Sequence, residues 1–188
     1  MSPSPIVLRD FVPAALCQRY VEHLRQTQTW EACPVLFWDS RAINLQSHEG
    51  PLREELLDLR VRVLEAVRQA FDVRGPLGCD VFPMVRWPTG CELHPHADAV
   101  NPDGSPHPFS YRQWSAILYL NDDYEGGQVY FPKRGFEPEL AVGTLIMFTG
   151  DLDNLHGVRE ITKGTRYTIS GFFTQDERHH DGYRLKNK

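Results

Sequence analysis

"TRYTISGFF" (residues 165–173) separates by parity into Arg166, Thr168, Ser170 and Phe172 on one side and Tyr167, Ile169, Gly171 and Phe173 on the other. In an extended chain successive side chains point to opposite faces, so this alternation predicts a strand with one face on a core and the other lining a polar pocket. Similar short runs precede it: "CDVFPMVRW" (79–87), "QWSAILYL" (113–120), "QVYF" (128–131), "GTLIMF" (143–148) and "LHGV" (155–158), each bounded by Gly, Pro or Asp. No helical run between them is long enough for a parallel crossover. An antiparallel sandwich or barrel is therefore expected over 79–175.

Upstream the pattern changes to helical. Leu16, Tyr20, Val21 and Leu24 are spaced for a helix over 13–29, with Asp10 as a candidate cap, and Leu52, Leu56, Leu59, Val63, Val67 and Ala70 for another over 51–71. Residues 1–78 thus read as a helical support region and the whole chain as one domain, which suits 188 residues with 41% hydrophobic and 24% charged content. The net charge of −5, with Lys and Arg scattered, argues against a nucleic-acid partner. No leader or apolar span suggests a membrane, and Cys17, Cys33, Cys79 and Cys91 lack metal or disulfide spacing, so a cytoplasmic protein with reduced thiols is expected.

The chemistry concentrates in "LHPHADAV" (93–100), where His94, His96 and Asp98 alternate and would share one face of a strand. Short H-x-D matches arise by chance, and His179 with Asp181 in "ERHHDGYR" (177–184) forms a second one, read as a solvated tail. His23 and His48 read as surface residues. What distinguishes the first match is His156 three strands later and Arg166 on the next strand, ten residues beyond His156. Two His and one carboxylate on one face of a metal leave the opposite positions open, the arrangement of non-haem Fe(II) centres. The residues alone leave open which two of His94, His96 and Asp98 bind.

Taken in order, His96-x-Asp98, His156 and Arg166 resemble the pattern of Fe(II)- and 2-oxoglutarate-dependent oxygenases of the prolyl-hydroxylase type. "YRQWSAILYLNDDYEGGQVYFP" (111–132) and "HGVREITKGTRYTISGFFT" (156–174) extend the likeness, and the first is especially similar to the leprecan group of prolyl 3-hydroxylases. The resemblance implies a double-stranded β-helix (jelly roll), metal ligands His96, Asp98 and His156, and a dioxygenase that uses Fe(II), 2-oxoglutarate and O₂ to hydroxylate an unactivated C–H. A retained carboxylate at Asp98 argues against the halogenating relatives. The implied substrate is a proline or proline-like residue in a peptide or protein; a free amino acid or small natural product, and a non-catalytic metal-binding module, are the alternatives.

The resemblance also places Arg166 on the distal carboxylate of 2-oxoglutarate, where a guanidinium forms paired charge-assisted hydrogen bonds. Tyr119 and, more weakly, Thr168 are its expected co-donors. Trp87 is expected against substrate or cosubstrate, and His94 behind the ligands or beside the substrate. His107 is placed on the substrate side, within the proline-bearing loop "AVNPDGSPHPFSY" (99–111), which is expected to act as a movable flap. "NDDYEGG" (121–127) lacks the spacing of a calcium loop and is expected to close a hairpin through Gly126-Gly127.

Overall fold

Leu56, Leu59, Val63 and Val67 form the buried stripe of helix α2 (Gly50–Ala70), and Cys17, Tyr20, Val21 and Leu24 that of α1 (Ala14–Gln26), in a computed structural model describing residues 1–32 and 38–181. The first helix begins after Pro13, whose fixed φ suits a helix entrance, while Asp10 adopts positive φ and does not cap it. Both stripes pack against Met84, Leu118, Leu145, Met147 and Ile169 of a sheet, forming the main core. Each such side chain contributes about 1.5–3 kcal/mol by leaving water. No helix among the described residues is long and apolar enough to cross a membrane.

The strands in chain order are β1 (Ile6–Leu8), β2 (Ala42–Ile43), β3 (Gly78–Val81), β4 (Met84–Pro88), β5 (Leu93–His96), β6 (Trp114–Tyr119), β7 (Glu125–Gly126), β8 (Val129–Tyr130), β9 (Leu145–Thr149), β10 (His156–Val158), β11 (Ile161–Lys163) and β12 (Thr165–Thr174). The large sheet runs β1-β9-β6-β12-β4-β2, with β3 beside the far end of β12; a smaller one runs β5-β10-β8, and β7 pairs with β11. Every pairing is antiparallel. The two sheets meet through Val85 and Trp87 against Val158, with Ile161 of β11 in the same cluster, and through Tyr119, Ile146 and Phe148 against Val129 and Phe131. The fold is thus mainly β with two helices on the outer face of the large sheet.

Gly157 lets β10 pass between its neighbours, because a Cβ there would lie 2.7 Å from the Leu93 carbonyl and 2.8 Å from the Tyr130 ring. Overpacking of this kind costs about 1–3 kcal/mol, so Gly157→Ala is expected to lower the thermal midpoint measurably, with denaturant melts giving the size of the loss.

Several expectations need correction. The N-terminal region is not purely helical, since β1 and β2 supply both edges of the large sheet; runs of three and two residues are too short for alternation to reveal. The 121–127 turn does not fold β7 back on β6 but delivers it to β11. Gly126 is required there because a Cβ would meet the Glu160 carbonyl at 2.0 Å. His48 is buried, with its ring edge-on to that of the exposed His23. The His179/Asp181 segment is docked rather than solvated. His179 stacks on Tyr111 with ring centroids 3.5 Å apart, and Asp181 is ion-paired with Arg60. Cys17, Cys79 and Cys91 are free thiols, while Cys33 lies outside the described residues.

Candidate active site

His96 and His156 face each other across the β5–β10 pairing, with ring centroids 4.4 Å apart. Asp98, two residues beyond β5, brings Oδ1 to 3.5 Å from His96 Nε2 and Oδ2 to 3.8 Å from His156 Nε2. Together the three offer one ligand atom each within 4.8 Å of one another. Each imidazole is oriented from behind: His96 Nδ1 lies 3.0 Å from the His94 carbonyl and His156 Nδ1 3.1 Å from that of Asn154. A carbonyl only accepts, so the proton sits on Nδ1 and the Nε2 lone pairs face the shared centre. Burial disfavours the imidazolium at His156 more than Asp98 favours it, and its pKa falls to about 4. For Asp98, burial opposes ionisation, but the charge of His156 and the hydrogen bonds of His96 and Ser115 outweigh it and hold the carboxyl well below its ordinary value. Burial also opposes protonation of His96, yet the hydrogen bond and charge of Asp98 raise its pKa. A neutral buried imidazole beside a carboxylate is a donor set that suits Fe(II).

His94 shares its parity with His96 but not its direction. β5 carries a bulge in which Leu93 and His96 pair with Val158 and His156, three steps against two, and such an extra residue re-aims the side chains on either side of it. The His94 side chain is 86% exposed, and among the described residues its ion-pair partner is Glu92, 3.9 Å away. It therefore stands neither behind the ligands nor at the substrate side as expected; only its carbonyl belongs to the site. His94→Ala is accordingly expected to leave metal affinity within about twofold of the parent, measured by Fe(II) titration of the metal-free protein, as for other solvent-facing substitutions.

The large sheet supplies the other wall. Arg166 pairs with Trp87 across β12–β4, and Thr168 with Tyr119 across β12–β6, so register brings all four together. The Arg166 guanidinium lies 4.4 Å from the Trp87 ring centroid and 5.4 Å from that of Tyr119. Arg166 is 1% exposed, and its one hydrogen-bond acceptor among the described residues is the Gly127 carbonyl, which takes Nη1 at 2.5 Å. Arg166 Nε, Tyr119 Oη and Thr168 Oγ1 have no partner among the described residues. Burial raises the Tyr119 pKa against the pull of Arg166, keeping the phenol a neutral donor. A buried cation with no ion-pair partner among the described residues is costly, and two hydroxyls beside it without partners among them add to the cost. A bound carboxylate answers all three deficits, so these residues fit the distal end of 2-oxoglutarate. Arg166 lines a narrow cavity with His96, Asp98 and His156.

His96 and Asp98 also line a cavity of about 270 Å³ whose other walls include Trp38, His107, Phe109, Arg112 and Phe172. Arg112 is held between the Phe109 and Phe172 rings, 3.8 and 4.2 Å from their centroids, by the buried carboxylate of Asp80 at 2.7 Å. The 99–111 loop is tied internally: Asn101 Nδ2 donates to Ser105 Oγ and the Pro106 carbonyl, and Phe109 N to His107 Nδ1. Its far end is anchored by the Tyr111–His179 stack. Sequence reasoning missed Arg112, Trp38 and Phe109 as lining residues, whereas Phe172 lies on the strand face expected to line a pocket.

Residues 82–174 match the model of a family described as the 2OG-Fe(II) oxygenase superfamily. The chain is 36% identical over 96 residues to prolyl 3-hydroxylase 1 of Gallus gallus, covering 48% of this chain and 13% of that protein. It is 33% identical over 101 residues to prolyl 3-hydroxylase 2 of Homo sapiens, covering 51% of this chain and 14% of that one. The matched region thus spans only a small part of these curated relatives. Its fold is like that of a viral collagen prolyl hydroxylase from Paramecium Bursaria Chlorella virus-1 (TM-score 0.70, 13% identity, 93% and 97% of the two chains covered). It is also like that of a Pseudomonas putida prolyl-4-hydroxylase (TM-score 0.64, 20% identity, 91% and 92% covered).

Proposed function

We propose that this chain, whose residues 82–174 match the model of the 2OG-Fe(II) oxygenase superfamily, is a dioxygenase hydroxylating a proline or proline-like residue of a peptide or protein. The observation carrying the proposal is Arg166: a buried guanidinium with no ion-pair partner among the described residues, beside two hydroxyls without partners among them, in the same cavity as a His-Asp-His cluster. The two facing sheets are read as a jelly roll. His96, Asp98 and His156 hold Fe(II), while Arg166, Tyr119 and Thr168 hold 2-oxoglutarate. Iron, 2-oxoglutarate and O₂ supply the C–H hydroxylation chemistry, with succinate and CO₂ as co-products. The chain's own residues bind and orient. Arg166 neutralises the distal carboxylate, Tyr119 and Thr168 donate to it, and Trp87 shields the pair from water.

Substrate enters on the aromatic side. Trp38, Phe109 and Phe172 give this cavity an apolar aromatic wall suited to a saturated ring, and the prolyl 3-hydroxylase likeness supports proline as that ring. The free thiols of Cys17, Cys79 and Cys91 fit a cytoplasmic setting. The test is a panel of proline-containing peptides and free amino acids incubated with Fe(II) and 2-oxoglutarate. A peptide gaining one oxygen while stoichiometric succinate forms is the expected result. Turnover of free proline or another metabolite with every peptide inert would replace the peptidyl reading by a small-molecule one. Metal and 2-oxoglutarate binding with no succinate formed from any substrate would replace it by a binding module.

A further inference from the structure

We infer that Ser115 is a positioning residue for the metal carboxylate, fixing the rotation of Asp98 and reserving one of its oxygens for the ion. The inference rests on the reading of His96, Asp98 and His156 as the metal ligands. Ser115 is buried on β6, between Phe148 of β9 and Phe172 of β12 in register, and its Oγ donates to Asp98 Oδ2 at 2.5 Å. A hydroxyl given to an ionised carboxylate makes a short, charge-assisted bond, stronger than one between neutral groups.

The need for such a bond follows from where the ligands stand. His96 and His156 lie on paired strands, and each is fixed through Nδ1 by a carbonyl of its own chain two residues earlier. Asp98 lies beyond β5, where strand pairing no longer sets its direction, and the next backbone tie is Ala99 N to the Gly150 carbonyl. Ser115, from the opposite sheet, supplies what the backbone supplies to the two histidines. With Oδ2 engaged, Oδ1, the oxygen nearer His96 Nε2, is the one left for a metal. Each of the three ligands then has one orienting hydrogen bond, and the bond to Asp98 is the one a substitution can remove.

Co(II) added to the metal-free protein serves as the probe, read by calorimetry and by visible absorption without turnover. Ser115→Ala is expected to weaken Co(II) binding about 10–100-fold and to change the ligand-field band, the usual range for losing an outer hydrogen bond at a metal site. Ser115→Thr keeps the hydroxyl and is expected to restore both to within about threefold. Melting of the metal-free variants reports packing separately, and Ser115→Cys, close in size with a weak donor, replaces the alanine variant should that one not fold. An unchanged affinity and band in Ser115→Ala would overturn the inference, as would a threonine variant as impaired as alanine while melting like the parent. No Co(II) binding by the parent would instead bring down the metal reading itself, and the role of Ser115 with it.

Discussion

His96→Ala, Asp98→Ala and His156→Ala are each expected to weaken Fe(II) binding by more than about a hundredfold, since outer partners of a ligand already account for 10–100-fold. Iron-dependent succinate formation should fall to the level of the iron-free protein in all three. His96→Ala is the cleanest of these, because its ring is one-third exposed and its loss leaves little packing void. His156 is enclosed by Phe148 and Phe131, at 4.4 and 5.7 Å between ring centroids, so its replacement also loosens the smaller core. A melting curve of each metal-free variant separates the two effects. Iron affinity near that of the parent in any of the three would remove that residue from the ligand set.

Arg166→Ala is expected to reduce 2-oxoglutarate affinity by a factor between about thirty and a few thousand, the equivalent of the 2–5 kcal/mol lost when one partner of a buried charge pair is removed. Tyr119→Phe deletes one donor and keeps the ring, so a loss of about 0.5–1.5 kcal/mol, or up to roughly tenfold, is expected. The readout is 2-oxoglutarate titration of the protein loaded with a redox-inert divalent metal. Parent-like affinity in Arg166→Ala would exclude the guanidinium from the carboxylate pocket.

Much of the site was legible because its residues lie on strands where parity decides direction. Arg166, Ser170 and Phe172 alternate against Tyr167, Ile169 and Phe173, and the structure turns the first set into the cavity of His96, Asp98 and His156 and the second toward the helices. His94 was misread by the same rule, since a bulge breaks parity without leaving a mark such as glycine in "LHPH". The outer cavity was illegible for a different reason. Trp38, Phe109 and Arg112 come from connecting segments whose long-range packing sets their direction, and local spacing carries no trace of a partner such as Asp80, 32 residues from Arg112. The docking of His179 and Asp181 was hidden likewise, for Tyr111 and Arg60 are far away in sequence.

The central place of β12 governs how the chain folds in time. In chain order β12 is the last strand described, yet the large sheet divides without it into β1-β9-β6 on one side and β4-β2 on the other. On the ribosome, then, two sheet fragments with exposed apolar edges wait until residues 165–174 have emerged, and only their insertion joins them. The same ten residues carry Arg166 and Thr168, so closure of the sheet and completion of the carboxylate pocket are one kinetic event. Pairings this distant in sequence make the step slow. A chain released before residue 165 would therefore hold His96, Asp98 and His156 but neither Arg166 nor Thr168, an aggregation-prone species for chaperones to retain.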